Sequence, residues 1–363
     1  MVEYLQLTLL VRVQIRIELP FEQAISPSID IVTMMKTFAI RRTALIWNAR
    51  GIAVFPGGLG TVNELFESWR GACNQKVDCP IVILPTEFYS PFLDAIEHSA
   101  VIRRKLISAS DFGLVQKAHN PAEAKHLLMQ HLREKELGTQ LTLREKLIYL
   151  RHELARGLTT VSKLPPAVVF VGSRHFLNRT DPEILFMKEL IKSIAATSSP
   201  PGIRVGVRGL VDTIVTEAVR EVSRCCKITK TMVQRVLISE GGDEFEHVDA
   251  CFKSVVAHRE VLIHNATAAF FLPGDIPTLD ILFALVCEIQ TRRRKRIPVF
   301  LIGSEFWQPI VDGLRESLSG EYDGQFIKYS DLEIMTVINT TPNDLEIAMA
   351  AINNGESNCQ KND

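Results

Sequence analysis

Slid by 217 positions, the chain falls on itself. Arg42 meets Arg259, Leu45 meets Leu262, Ile46 meets Ile263, Asn48 meets Asn265 and Ala49 meets Ala266. With no gap, Pro56 then meets Pro273, Gly57 meets Gly274, Thr61 meets Thr278, Leu65 meets Leu282 and Phe66 meets Phe283. After one inserted residue Pro80 meets Pro298, and Glu87-Phe88-Tyr89 meets Glu305-Phe306-Trp307. Further on, Ser110-Asp111 meets Ser330-Asp331. Self-similarity at a fixed offset marks like structural units, so a chain of 363 residues reads as a tandem duplication.

Short β-branched runs alternate with helical stretches, the pattern of an α/β fold around a parallel sheet. Ile52–Phe55, Ile81–Leu84, Ala167–Val171, Val233–Ile238, Ala269–Leu272 and Val299–Ile302 read as strands. Val11–Leu19 alternates apolar and polar at period two, a strand with one covered face and not a signal peptide. The two units are unequal. Before the shared block the second has room for a strand from Ala167, a helix at 182–196, a strand at Ile203–Val207, a helix at 210–224 and a third strand from Val233. The first has only forty residues there, and its strand at 11–19 matches the second unit's third. It starts half-way through the fold. A parallel sheet without two strands and two helices leaves an open edge and an apolar face. That face is expected to be covered by the second unit, by another chain, or by residues absent from this one.

The expected organisation is a truncated unit at 1–133, a helical connector at 134–166, a fuller unit at 167–352 and a disordered tail at 353–363. In the connector, Thr142-Leu-Arg-Glu145 has the form of a capping box, and Leu143, Leu147, Leu150 and Leu154 form a stripe. It reads either as a link between domains or as the last helix of the first.

The chemistry concentrates in Ile52-Ala-Val-Phe-Pro-Gly-Gly-Leu-Gly-Thr-Val-Asn-Glu64, a buried strand passing through a glycine turn into a helix. Gly57, Gly58 and Gly60 permit φ > 0 and close approach to the backbone. The amides of the following helix N-terminus favour an anion, so the turn reads as a phosphate cradle. Thr61 adds a hydroxyl donor, and Glu64 a carboxylate one turn on. Thr61-x-x-Glu64 is equally a capping box.

Pro56-Gly-Gly-x-Gly-Thr-x-x-Glu64, with Arg41-Arg42 fifteen and fourteen residues before the proline, resembles the signature of the LOG family. These phosphoribohydrolases release cytokinin bases and other bases from nucleoside 5′-monophosphates, and were long labelled lysine decarboxylases. The resemblance covers 11–130 well and 167–352 more faintly, the latter through the repeat and Phe170-Val-Gly-Ser173. It implies two tandem Rossmann-like LOG domains, the first lacking its N-terminal half. Arg41 and Glu64 match the family's catalytic residues, and Arg42 stands where lysine is usual. Gly57, Gly58, Gly60, Thr61 and Arg42 are then the phosphate and nucleotide contacts. The implied activity is hydrolysis of the N-glycosidic bond of a nucleoside 5′-monophosphate. The alternative is an inactive pseudoenzyme that binds a nucleotide or dimerises. The family works as dimers, so a homodimer or an intrachain pseudodimer is expected. No cofactor and no metal are expected, and only the old label suggests pyridoxal phosphate.

The second unit departs from this pattern. Its loop reads Pro273-Gly-Asp-Ile-Pro-Thr-Leu-Asp-Ile281, with Asp275, Pro277 and Ile281 in place of Gly58, Gly60 and Glu64, and His258 in place of Arg41. Asp275 brings negative charge to the anion position, and Pro277 removes an amide donor. Yet Gly172, Gly206 and Gly209 occur only in this unit's early turns.

Forty-one Lys and Arg against forty-two Asp and Glu leave a net charge of −1, no field for nucleic acid or a membrane surface. No apolar run reaches the length of a membrane span. Seven cysteines without a C-x-x-C pair fit a reduced cytoplasmic chain, and adjacent Cys225-Cys226 reads as structural. Arg292–Arg296 reads as a solvated helix end, and the acidic stretch 243–249 with His247 as a polar loop.

Overall fold

The computed structural model describes residues 13–17, 27–46, 49–74, 79–133, 143–173, 177–206, 209–225, 233–238, 250–319 and 326–359. The first half runs β1 (Val13–Ile17), β2 (Ile31–Met35), α1 (Phe38–Ile46), β3 (Ile52–Val54), α2 (Leu59–Cys73), β4 (Ile81–Ile83) and α3 (Thr86–Ile96), which a π-type turn extends over Glu97–Arg103. It closes with α4 (Ala109–Phe112), β5 (Val115–Lys117) and α5 (Pro121–Arg133). A long helix, α6 (Leu143–Val161), follows. The second half runs β6 (Ala167–Val171), α7 (Pro182–Ala195), β7 (Gly202–Gly206), α8 (Leu210–Cys225), β8 (Val233–Ile238), β9 (Ala250–Phe252) and α9 (Val255–Ile263). It ends with β10 (Ala266–Phe271), α10 (Ile276–Gln290), β11 (Val299–Ile302), α11 (Ser304–Ser319), α12 (Tyr329–Leu332), β12 (Met335–Ile338) and α13 (Pro342–Cys359). α13 takes in most of the polar stretch expected to be a tail. Once a helix is nucleated, each added residue gains a hydrogen bond.

The fold is α/β and Rossmann-like, with parallel pairing throughout. The second half forms one seven-stranded sheet in the order β12-β11-β10-β6-β7-β8-β9. β6 and β10, at its centre, are buried along their whole length. Such strands read as continuous apolar runs because helices cover both faces. The first half carries two separate sheets, β3-β4-β5 and β1-β2. Its elements follow the second half's in order and position: α1 and α9, and α2 and α10, have the same bounds 217 residues apart.

The halves pack through matching helices, α2 on α10 and α3 on α11. Phe66 and Phe283, which the offset pairs, stack face to face at 5.1 Å between ring centres, and Phe92 sets its edge against both. All three rings are buried; each contributes about 2–3 kcal/mol. At Gly313, a Cβ would lie 2.4 Å from the Pro91 carbonyl oxygen and 3.1 Å from the Cβ of its counterpart Ala95. A contact in which a surface meets its own counterpart is what a two-fold axis generates. α6 lies along α1, α9 and β9, with Leu150 and Leu154 buried. Its Glu153 accepts the Lys253 and Ser254 amides at the start of α9.

One apolar core runs through both halves at this contact. On the outer face, a second core joins β6, β7, β10 and β11 to α7, α8 and α13. On the matching face of the first half, among the described residues, the cluster is Val82, Leu84, Ala118 and Ala124, with Leu127 and Leu128 beside them. Among the described residues, this cluster includes none from the second half.

Candidate active site

Val62, Leu65, Phe66 and Trp69 recur at helical spacing on α2 and are buried, which fixes how the helix leaves the glycine turn. Its N-cap is Gly58, with φ −83° and ψ −160° and no side-chain cap. The reading of Thr61 and Glu64 as a capping box is therefore not realised: the helix starts at Leu59, so Thr61 already lies inside it. The positive φ that glycine permits is not used, since Gly57, Gly58 and Gly60 all lie outside that region. Space is what requires two of them. A Cβ on Gly57 would lie 2.2 Å from Thr61 Oγ1, and one on Gly58 would lie 2.9 Å from the Phe326 carbonyl oxygen. Gly60 faces open space.

The turn is held from below by Tyr89 of α3, whose hydroxyl reaches the carbonyls of Phe55 (3.2 Å) and Gly57 (3.3 Å). Burial pushes the phenol pKa up, so it stays a donor at any physiological pH. Phe326, from the second half, packs edge-on against Phe88 beside it at 5.3 Å. The sequence reading missed Tyr89 and Phe326. The pairing of Glu87-Phe88-Tyr89 with Glu305-Phe306-Trp307 was a signal for the tyrosine; nothing local marks Phe326.

Arg41 and Glu64 are brought together. Arg41 Nε donates to the Ile15 carbonyl of β1 at 3.1 Å, and Nη1 pairs with Glu64 Oε1. Both side chains keep contact with solvent, at 22% and 28% exposure. Arg42 goes the other way. Expected beside the phosphate, it is instead fully buried and paired with Glu67 (2.6 Å) and Glu260 (3.0 Å). Successive residues on a helix point about 100° apart, so two adjacent arginines cannot share a target.

Arg42 belongs to an ionic cluster between the halves. Its offset counterpart Arg259 bonds Glu67 and Asp280, and Arg70 of α2 reaches Asp280 at 2.8 Å. Three guanidinium groups thus face Glu67, Glu260 and Asp280. Burial disfavours the Asp280 carboxylate, but Arg259 and Arg70 outweigh it and hold its carboxyl below the usual range. Glu260 is pushed up, by burial first and then by Glu288.

The second half shows the same loop plugged. Asp275 caps α10, its Oδ1 accepting the Thr278 amide (3.1 Å) and hydroxyl (2.9 Å), while Ser173 donates to Oδ2 (3.3 Å). A carboxylate of the protein thus sits where an anion would sit. At the positions of Arg41 and Glu64 stand His258, buried and 3.2 Å from the Val236 carbonyl, and buried Ile281. Above this loop lies a small cleft, open to solvent and lined by Gly172, Gly206, Gly209, His258, Asp275 and Arg70.

Other sequence features resolve simply. Arg294 and Arg296 donate to the carbonyls of Ile263 and Glu333, so the basic run ties helix ends to loops. The 243–249 stretch and Cys226 lie outside the described residues. Among the described residues no cluster of three or more His, Cys, Asp or Glu is arranged for a metal, and no helix is long and apolar enough to cross a membrane.

A family model described as possible lysine decarboxylase matches residues 8–128 and 212–347, well over half of the chain. No curated protein matches. Among the solved structures that match is the X-ray structure of TM1055, a structural-genomics target. It is 19% identical, covering 51% of this chain and 97% of its own, with a TM-score of 0.30.

Proposed function

The chain belongs to the family described as possible lysine decarboxylase, the LOG-like group, and on that premise we propose that its first half hydrolyses the N-glycosidic bond of a nucleoside 5′-monophosphate. The observation that carries this reading is the meeting of Arg41 and Glu64 beside the N-terminus of α2, where no side chain caps the helix. The 5′-phosphate would take that position, on amides of the Gly57–Gly60 turn with the Thr61 hydroxyl beside it. Glu64, one turn along, then faces the ribose.

Water adds to C1′ as the C1′–N bond breaks. The bonding electrons leave with the base, which gains a proton, and the water oxygen stays on ribose 5-phosphate. Positive charge develops at C1′ and the ring oxygen, and a fixed carboxylate stabilises it or orients the water. Arg41 orients Glu64 and offers its remaining donors to a phosphate or a ribose hydroxyl. We read the two halves as a tandem duplication forming an intrachain pseudodimer.

The test is to incubate the protein with AMP, CMP and a cytokinin nucleotide and look for free base. No release while the protein is folded sinks the reading. Glu64→Gln should abolish release and leave nucleotide binding largely intact, whereas equal loss of both would make Glu64 structural. One observation favours a second reading, a nucleotide-binding pseudoenzyme: among the described residues, β1-β2 and β3-β4-β5 form two separate sheets. Thermal stabilisation by AMP without turnover would support it.

A further inference from the structure

The cleft of the second half lies where an open parallel sheet presents a crevice. From β6 the chain moves outward through β7, β8 and β9, then returns to β10 on the far side of β6. At such a switch point the loops leaving the carboxyl ends of the strands diverge, and a small molecule fits between them. The walls come from those ends: Gly172 and Ser173 follow β6, Gly206 ends β7 and Asp275 follows β10. The first half contributes as well, since Arg70 of α2 lines the same cleft.

Packing does not account for two of these residues. Gly206 lacks the positive φ that demands glycine, and a Cβ there would meet only His258, at 3.7 Å. Glycine weakens a strand, so one that neither φ nor a clash requires marks a place where something else approaches the backbone. Arg70 is 2% exposed and pairs with Asp280 at 2.8 Å, yet its Nε has no hydrogen-bond partner among the described residues. A buried N–H of this kind calls for an acceptor.

The charges define the occupant. Arg70 is balanced by Asp280, and Asp212 at the cleft's edge by Arg235 at 3.1 Å. Among the described residues no lysine or arginine pairs with Asp275. Its Oδ1 is engaged by Thr278, while Oδ2 takes the Ser173 hydroxyl at 3.3 Å. A carboxylate oxygen has capacity for a second donor. A phosphate is repelled here, and hydroxyl groups are attracted. We infer that this cleft is a second binding site, separate from the Gly57–Gly60 turn, for the vicinal diol of an unphosphorylated ribose. Its hydroxyls donate to Asp275, one of its acceptors takes the Arg70 Nε–H, and its carbon skeleton meets Val211, Leu262 and Ile281. Free ribose and a ribonucleoside share this chemistry.

The inference does not rest on the activity proposed for the first half. Its test is calorimetric titration of the full chain carrying Glu64→Gln, with adenosine, D-ribose and AMP. Adenosine or ribose should bind with a Kd of about 1 mM or tighter. A nucleoside is the ligand if adenosine binds at least about ten-fold more tightly than ribose, and the sugar alone suffices if it does not. Gly206→Val puts a side chain into the cleft, and Asp275→Asn keeps a capping oxygen while removing the charge. Each should weaken the neutral ligand at least about ten-fold, the loss expected for a hydrogen bond to a charged group or for a filled site. AMP at about ten-fold excess should not displace it. No binding of adenosine or ribose, an unchanged affinity in either variant while it is folded, or displacement by AMP overturns the inference.

Discussion

Gly58 and Asp275 occupy the same place at the start of matching helices. At Gly58 the helix N-terminus has no side chain on it, and at Asp275 a carboxylate has taken the anion's place. On the proposed reading one side chain is enough to withdraw a phosphate site, because such a site consists of backbone amides and needs only to be left open. The halves differ the other way in their sheets. The second half has one seven-stranded sheet and the cleft above it, while in the first half, among the described residues, Arg41 and Glu64 stand between a two-stranded and a three-stranded sheet. The shared core along α2, α3, α10 and α11 keeps the two unlike halves in one molecule.

Adjacent arginines offer the sharpest way to break this comparison. Arg42→Ala removes one of the two buried guanidinium groups that pair with Glu67 and Glu260, leaving Arg259 to face both, and should cost about 3–5 kcal/mol in denaturant unfolding. Arg41→Ala removes a partly exposed pair and should cost no more than about 1 kcal/mol while abolishing base release. Similar stability losses from the two variants would mean that the cluster does not join the halves.

Unplugging the second loop sharpens the same contrast. Asp275→Gly combined with Pro277→Gly should raise the nucleotide stoichiometry in calorimetric titration from one to two per chain. At a hundred-fold excess over Kd, the added site should contribute about 2.7 kcal/mol of stabilisation. Unchanged stoichiometry would show that the cleft over the second half lacks more than its cradle.

Tyr89→Phe deletes the hydroxyl that holds the first loop and should cost about 1 kcal/mol, with a larger effect on KM than on unfolding. A last contrast concerns acid, on top of the stability that removing a fully buried carboxylate costs. Asp280 titrates below its unfolded value of about 3.9, so its contribution is present above that pH and lost as pH falls through the folded value. Asp280→Asn should flatten the acid limb of stability; an unchanged limb would assign acid unfolding to other groups.

The α/β class, the order of elements and the glycine loop were legible from the sequence alone, because strand runs, helical spacing and the repeat are local patterns. The bounds of α1 and α9 follow the offset that the identities set. The separation of Arg41 from Arg42 was decided by the tertiary structure, since Glu67 and Glu260 become neighbours only when α2 and α10 pack. The same holds for the glycines. Gly58 is small because Phe326 of the other half approaches its backbone, a contact between residues far apart in the chain that no local pattern contains. Periodicity records which face of an element is buried; only packing determines which charge meets which, and which cradle is left open.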